Sequence, residues 1–250
     1  MFTMKNKGLK IKKVSTVDLI SEEMKKLILN GTWALNEKIP SESELAETFG
    51  VNRFTVRMAL QKLNILGVLE TKTGDGSYVC PFDFEKHMRQ ISDFYLTPKL
   101  LDDITEFRKI IEVECARLAM ERATPEDLEI LRKHCENFER HMVSYVKLRE
   151  GSPKALTYLH TLTDCDLELH SHMCSMSHND LLIYAFSTAK EPIREFMLTV
   201  GYNRVENANF RIGDISVRDH WGIYSSIKNK DFETCRKILV NMSDYQVAEH

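Results

Sequence analysis

The chain has 250 residues, of which 43% are apolar and 28% are charged, and its formal net charge is −3. This length allows one large domain or two small ones, and this composition supports a packed core, which excludes a disordered or collagen-like protein. No apolar run approaches about 18 residues, so we expect no membrane partner. The lysine-rich start at 1–13 is not followed by an apolar stretch, so we expect no secretory signal.

The six cysteines are scattered along the chain, and none forms a C-x-x-C pair. In a chain of this length, such a distribution is typical of reduced thiols in a cytoplasmic protein rather than of a disulfide framework. Residues 1–80 carry 12 Lys+Arg against nine Asp+Glu, whereas the remainder of the chain is acidic. A basic segment on an acidic chain fits a domain that binds a polyanion.

The first part of the chain predicts three helices. Apolar residues recur at spacings of three and four within 17–28, which indicates an amphipathic helix. The segment 41–44 (SESE) is a capping box, which starts a second, short helix that stops at Gly50. A third helix begins near Asn52.

The two short helices, joined by the tight turn 49–52, form a helix-turn-helix pattern. The second of them presents Arg53 and Arg57 away from its apolar face, in the first turns, where a recognition helix meets base edges and phosphates. Arginine forms a bidentate fork to guanine, and Thr55 is suited to a phosphate or a thymine methyl group. We therefore predict that this helix reads DNA.

A β-hairpin is predicted next, because two β-prone runs, 68–71 and 77–79, flank a glycine-containing tip at 72–76. A hairpin directly after a helix-turn-helix is a wing, and the glycines of its tip let backbone amides come close to DNA. Arg53 and Arg57 alone would also fit an ordinary solvated helix face. The ordered set of helices, capping box, turn and wing favours DNA binding.

Residues 38–79, KIPSESELAETFGVNRFTVRMALQKLNILGVLETKTGDGSYV, resemble the winged-helix domain of the GntR family of bacterial regulators. The resemblance rests on the motifs Pro-Ser-Glu-x-Glu-Leu-Ala, Val-x-Arg-x-Thr-Val-Arg and Gly-x-Gly. It implies DNA contacts by the following residues: Asn52, Arg53, Thr55, Arg57, Thr73 and Gly74. The family commonly has a base-reading arginine where this chain has Ser43, so we expect a different operator preference.

The rest of the chain predicts an all-α domain, because it shows helical spacing and no convincing alternating strand. We expect a DNA-binding domain at 1–80, a linker at 81–95 and a bundle of six or seven helices at 96–250. The fold class is thus mostly α, with a small β-hairpin wing in the N-terminal domain.

Three segments of this second domain, 100–134, 164–182 and 218–239, resemble the FCD domain of the FadR subfamily of GntR regulators. The resemblance implies that the C-terminal domain binds an effector and dimerises. It also argues against the other GntR subfamilies, whose effector domains contain sheets.

Asp166 and His170 stand four residues apart, so a helix brings both to one spot in the bundle. A carboxylate with an imidazole suits a divalent ion such as zinc, nickel or manganese, and His220 is a candidate third ligand. The resemblance implies ligands at these positions and a histidine at a fourth, where this chain has Met242, a poor ligand for such an ion. The alternatives are a satisfied polar cluster and direct binding of an effector.

Arg108 interrupts an apolar stripe on the first helix of the same domain. A buried arginine is costly unless it is paired, so Arg108 either clamps the carboxylate of an effector or forms an ion pair with a glutamate such as Glu112. The resemblance suggests a small organic acid as the effector.

Together these features predict a homodimeric transcription repressor that reads a palindromic operator in double-stranded DNA. One alternative is a sensor of a long acyl thioester that works without metal, which the missing fourth ligand keeps open. Another is a metal-dependent enzyme that activates a water. The chain has no HExxH motif and no phosphate-cradling glycine loop, and we therefore expect a regulator and not an enzyme.

Overall fold

The computed structural model describes the following residues: 15–91, 94, 97–147, 153–206 and 213–245. The chain divides into two units, Met1–Asp83 and Phe84–His250. Within the described residues, ten helices and one two-stranded antiparallel sheet make up the regular structure. The mostly α-helical fold with a hairpin in the first unit is the one that the sequence predicts.

The first unit consists of α1 (Thr16–Leu29), α2 (Glu42–Phe49), α3 (Arg53–Ile65), β1 (Leu69–Lys72) and β2 (Gly76–Val79). Helix α3 packs against α1, α2 and β1, and the two strands pair in antiparallel register over their whole length. The apolar faces of the three helices and the hairpin meet in one core. This arrangement is a winged helix-turn-helix.

Capping signals set the boundaries of α2 and α3. The Ser41 hydroxyl accepts a hydrogen bond from the Glu44 backbone N–H, and the Glu44 carboxylate accepts one from the Ser41 backbone N–H, which confirms the predicted capping box. Gly50 ends α2 with a φ of 64°, a left-handed conformation that glycine adopts without steric cost. Asn52 then caps α3.

Replacing Ser41 with alanine is expected to destabilise the first unit by about 1 kcal/mol, because the N3 amide of α2 loses its acceptor. Urea unfolding followed by the fluorescence of Trp33, in a W221F background that leaves this residue as the single tryptophan, measures the change. Ser43→Ala on the same helix is the control. Equal destabilisation by the two substitutions would show that the cap contributes nothing.

The second unit consists of seven helices in the described residues: α4 (Phe84–Ile91), α5 (Pro98–Arg122), α6 (Pro125–Val146), α7 (Pro153–Ser175), α8 (Asp180–Glu206), α9 (Gly213–Asn229) and α10 (Phe232–Tyr245). Helix α5 contacts α7, α8, α9 and α10, so it lies in the middle of the bundle. Helix α6 packs against α7 and α9. Side chains on the inner faces of α5, α7 and α9 therefore meet in the core.

The segment 81–95, expected to be a linker, contains α4, which packs against α8. The Lys190 ammonium of α8 is buried and lies 2.8 Å from the Glu85 carboxylate of α4 and 2.9 Å from the Glu168 carboxylate of α7. Phe84 and Tyr184 add an aromatic contact. These contacts make α4 part of the second unit.

All six cysteines are free thiols, and four of them are buried. Across the described ranges, none of the helices is long and apolar enough to cross a bilayer.

Candidate DNA-binding surface and buried metal centre

Helix α3 presents Arg53 and Arg57 on its exposed face, while Val56 and Leu60 of the same helix are buried. Arg53 lines an open cleft that also includes the N-terminus of α2 and the wing residues Thr73 and Gly74. The helical period therefore separates the core stripe from the predicted DNA-contacting stripe. Three of the predicted DNA-binding residues share this cleft.

Asn52 and Thr55 lie at the start of α3. The Asn52 Oδ1 atom accepts hydrogen bonds from the Thr55 backbone N–H, at 2.8 Å, and from the Thr55 hydroxyl, at 3.0 Å. These hydrogen bonds therefore fix the start of α3, the helix that carries Arg53 and Arg57. Direct DNA contact by either residue stays a prediction.

Arg57 has a carboxylate partner that the sequence did not reveal. Its Nε atom lies 2.9 Å from Glu42 Oε1, and its Nη2 atom lies 2.7 Å from Glu42 Oε2. The Arg57 guanidinium lowers the pKa of Glu42, and Glu42 in turn raises the pKa of Arg57, so both groups are charged at neutral pH. The partners are 15 residues apart on different helices, so no local spacing signals the contact.

The tip of the wing carries an acidic residue held by its neighbours. The Asp75 carboxylate lies 2.8 Å from the Lys38 ammonium and accepts a hydrogen bond of 2.8 Å from the Tyr78 hydroxyl. Gly74, beside it, has a φ of 78°, so a side chain there would be strained. These contacts orient the wing tip, in which Thr73 and Gly74 are exposed.

In the second unit, Asp166 and His170 of α7 meet His220 of α9. Candidate ligand atoms of the three side chains lie within 4.8 Å of one another, and all three residues are buried. The His220 Nε2 atom is 3.0 Å from Asp166 Oδ1, and the His170 Nε2 atom is 3.9 Å from Asp166 Oδ2. The structure thus brings the three predicted ligands to one point.

The polar atoms of this cluster are not satisfied by protein groups within the described residues. Asp166 Oδ2 and all four ring nitrogens of His170 and His220 are buried and lack an aligned hydrogen bond, although some contacts are short. Such atoms are costly when buried, and a carboxylate with two imidazoles is a suitable donor set for a divalent ion. The residues present therefore fit a metal.

The electrostatics of the cluster keep Asp166 charged. Burial raises the pKa of this carboxyl, but its interactions with His220 and His170 and with the more distant Arg108 guanidinium outweigh burial and hold the pKa well below its usual range. Asp166 is therefore ionised at neutral pH, as a metal ligand must be.

Arg108, on α5, is 2% exposed, and its Nε atom lies 2.5 Å from Glu112 Oε1. The second Glu112 oxygen lies 2.8 Å from His170 Nδ1, although this contact is not aligned as a hydrogen bond. Burial raises the pKa of Glu112, but the interactions with Arg108 and His170 together outweigh burial and lower the pKa to about 2. Of the two roles considered for Arg108, the structure contains the ion pair, and effector binding stays a prediction.

Glu112 therefore lies at the Nδ1 atom of the His170 ring, whereas Asp166 lies nearer its Nε2 atom. A carboxylate beside the outer nitrogen of a ligating imidazole is a common arrangement that orients the ring and increases its basicity. The sequence identified Glu112 only as a candidate partner of Arg108, because Glu112 and His170 are 58 residues apart along the chain and no local spacing shows their proximity.

Other side chains of the second unit have contacts of their own. Met242 is half-buried and packs against the core of the unit. His172 contacts the backbone carbonyl of Asp127 at 2.9 Å, and His160 contacts the Tyr202 hydroxyl at 2.6 Å. Neither histidine belongs to the cluster.

A winged helix-turn-helix with exposed arginines, in one chain with a helical unit that contains a buried carboxylate–imidazole cluster, is typical of the class of DNA-binding transcription regulators. Residues 16–79 match the family described as bacterial regulatory proteins, gntR family, and residues 103–244 match the FCD domain. The chain therefore belongs to the GntR family and carries an FCD domain.

Two curated relatives are similar over most of the chain. The HTH-type transcriptional regulator LutR of Bacillus subtilis is 36% identical over 172 residues, which are 68% of this chain and 72% of that protein. The HTH-type transcriptional repressor NanR of Enterobacter sp. (strain 638) is 31% identical and covers 95% of this chain and 85% of its own length. Both relatives are named as regulators, in agreement with the family match, by which this protein is a transcription regulator.

The fold also matches a solved structure. Streptococcus agalactiae GntR aligns with a TM-score of 0.64 over 92% of this chain and 98% of its own, at 23% identity. At this identity, the likeness shows the shared fold alone.

Proposed function

We propose that this protein is a homodimeric repressor of the FadR subfamily that binds a palindromic operator through Asn52, Arg53, Thr55, Arg57, Thr73 and Gly74. The observation that carries the proposal is the exposed Arg53 and Arg57 pair on a capped α3, next to a cleft lined by the wing. A two-fold dimer places two such helices in successive major grooves, about 34 Å apart, which is why a palindrome is expected. The name of NanR, a repressor, supports repression.

The second unit is proposed to sense a small organic acid together with a divalent ion, zinc, nickel or manganese, held by Asp166, His170 and His220. The support is the set of buried polar atoms that no described protein group satisfies. When bound, the ion supplies a positive charge that attracts a carboxylate. Three protein ligands leave coordination positions open for an effector or water.

The effector regulates by favouring one arrangement of the two DNA-binding units over another. A ligand shifts such an equilibrium only as far as its affinities for the two arrangements differ, so the effector must contact groups that move between them. Sensing of an acyl thioester without metal is the weaker alternative, because an apolar tail does not satisfy the polar cluster. Since the operator is chromosomal, we place the protein in the cytoplasm, where its free thiols stay reduced.

Replacing Arg53 or Arg57 with alanine is expected to weaken operator binding about 5- to 150-fold each, the range for an arginine that forks to a guanine. Fluorescence anisotropy at physiological salt measures the loss. The probe is the duplex that the full chain enriches from a random-sequence library.

Lys25→Ala serves as the control, because Lys25 is an exposed cation on α1, outside the proposed surface. It should change operator affinity much less than either arginine substitution. Unchanged affinity in both arginine variants would overturn the assignment of α3 as the recognition helix.

A further inference from the structure

The contact between Glu42 and Arg57 places an acidic side chain inside a surface proposed to bind a polyanion. Glu42 is the first residue of α2, and its side chain is 29% exposed. It occupies the Nε and Nη2 edge of the Arg57 guanidinium through hydrogen bonds of 2.7–3.2 Å. The contact is thus bidentate, the geometry that holds a guanidinium plane most firmly.

This geometry leaves the other edge of the guanidinium directed away from Glu42. An arginine has five N–H donors, and the described residues record no hydrogen bond from Nη1 of Arg57, while its side chain is 58% exposed. The outer donors therefore remain available to an acceptor on DNA. Because Glu42 already restrains the side chain, binding through that edge immobilises fewer rotamers.

The charge of the pair has an opposite consequence for phosphates. Glu42 and Arg57 together carry no net charge, and a carboxylate near the DNA backbone repels it. The attraction of Arg57 to any phosphate is therefore reduced, whereas its directional N–H donors still match the O6 and N7 acceptors of guanine. Sequence-independent binding depends on cations near phosphates. The contact with Glu42 therefore weakens the affinity for unrelated DNA more than it weakens base reading.

We propose that Glu42 is a positioning residue that makes Arg57 a reader of bases rather than a binder of phosphates, and so sets the ratio of operator affinity to affinity for unrelated DNA. This inference rests on the proposed DNA contact of Arg57. It assigns a role in specificity to Glu42. The position of Glu42 in the first turn of α2 would otherwise explain it only as an acid that interacts favourably with a helix N-terminus.

The test compares E42Q with E47Q in the full chain. Glu47 lies on the same helix, is exposed, and has no recorded contact with Arg57, so its substitution removes the same charge from the same element. Binding is measured by anisotropy, over a series of salt concentrations, to the library-enriched duplex and to a duplex of the same composition in scrambled order. Circular dichroism checks that both variants fold.

Relative to E47Q, E42Q is expected to bind the scrambled duplex more tightly and to lower the ratio of the two affinities about fivefold or more. The salt dependence for the scrambled duplex should steepen by about one phosphate contact, because Arg57 becomes free to act as a simple cation. A ratio and a salt slope equal to those of E47Q would overturn the proposal.

R57A and the double variant R57A/E42Q separate this inference from the assignment on which it rests. If R57A leaves the ratio unchanged, Arg57 does not read the operator, and both fail. If R57A lowers the ratio while E42Q behaves as E47Q does, only the role of Glu42 fails. The proposal requires that E42Q has no further effect on the ratio in the R57A background, and an undiminished effect there would contradict it.

Discussion

Glu112→Ala is expected to destabilise the second unit by about 3–5 kcal/mol, the usual cost of removing one partner from a buried ion pair. The variant leaves the Arg108 guanidinium, 2% exposed, without the carboxylate oxygen that lies 2.5 Å from its Nε atom. Both groups are buried, Glu112 being 1% exposed, so solvent compensates little for the lost contact. Urea unfolding monitored by Trp221 fluorescence, in a W33F background, measures the loss.

Two further variants show that the effect belongs to the buried charge. Arg108→Met with Glu112→Met replaces the pair by apolar groups of similar length and should recover most of the stability. Glu114→Ala, on the same helix, removes a half-exposed partner of Arg117 and should leave the unfolding midpoint nearly unchanged. Equal losses in E112A and E114A would mean that burial does not govern the strength of the Arg108 pair.

The DNA-binding unit was predictable because its determinants are local. The capping box at Ser41 and Glu44, the glycine that ends α2 and the asparagine that starts α3 each act within four residues, and the structure contains all of them. The wing follows from two glycines between short β-prone runs. Short-range hydrogen bonds of this kind do not depend on the rest of the fold, so the sequence alone is sufficient.

Contacts between distant segments were not predictable in the same way. Glu42 reaches Arg57 only because α2 and α3 cross, and Glu112 approaches His170 only because α5 lies against α7. The segment that forms α4 was expected to be part of a linker, because no feature of residues 84–91 indicates that they will contact Lys190 and Tyr184 of α8. Packing of this kind depends on the tertiary arrangement, which spacing along one helix does not contain.

The candidate metal centre falls between these cases. Asp166 and His170 are one helical turn apart and were recognisable from spacing. His220 comes from another helix, so it was only a candidate third ligand from its residue type, and the resemblance to the FCD domain supported it. Arg108 was recognised as an anomaly in an apolar stripe, but spacing alone could not decide between an effector and Glu112 as its partner. The structure contains the pair with Glu112 because α5 places the two side chains one turn apart in the buried core.

Because the second unit is proposed to hold a divalent ion, a chelator is expected to lower the free energy of unfolding of this unit, and adding zinc, nickel or manganese should restore it. A ligand that binds only the folded state stabilises it by about 4 kcal/mol when its free concentration is about 1,000 times Kd. Elemental analysis of the purified chain identifies the ion. Thermal unfolding with and without each ion measures the stabilisation.

The response of one variant to the ion provides the sharpest test. His220→Leu removes the imidazole whose Nε2 atom lies 3.0 Å from Asp166 Oδ1, so the metal-free protein should lose some stability as well, and the comparison is made on the gain that the ion adds. With the ion, the same variant should lose most of the stabilisation, since one of three ligands is gone. His172→Ala, on α7 but outside the cluster, should retain the full response to metal. If His220→Leu responds to the ion as the unaltered chain does, the cluster is not the metal site. If the unaltered chain binds no ion at all, the result favours an effector that is sensed without metal.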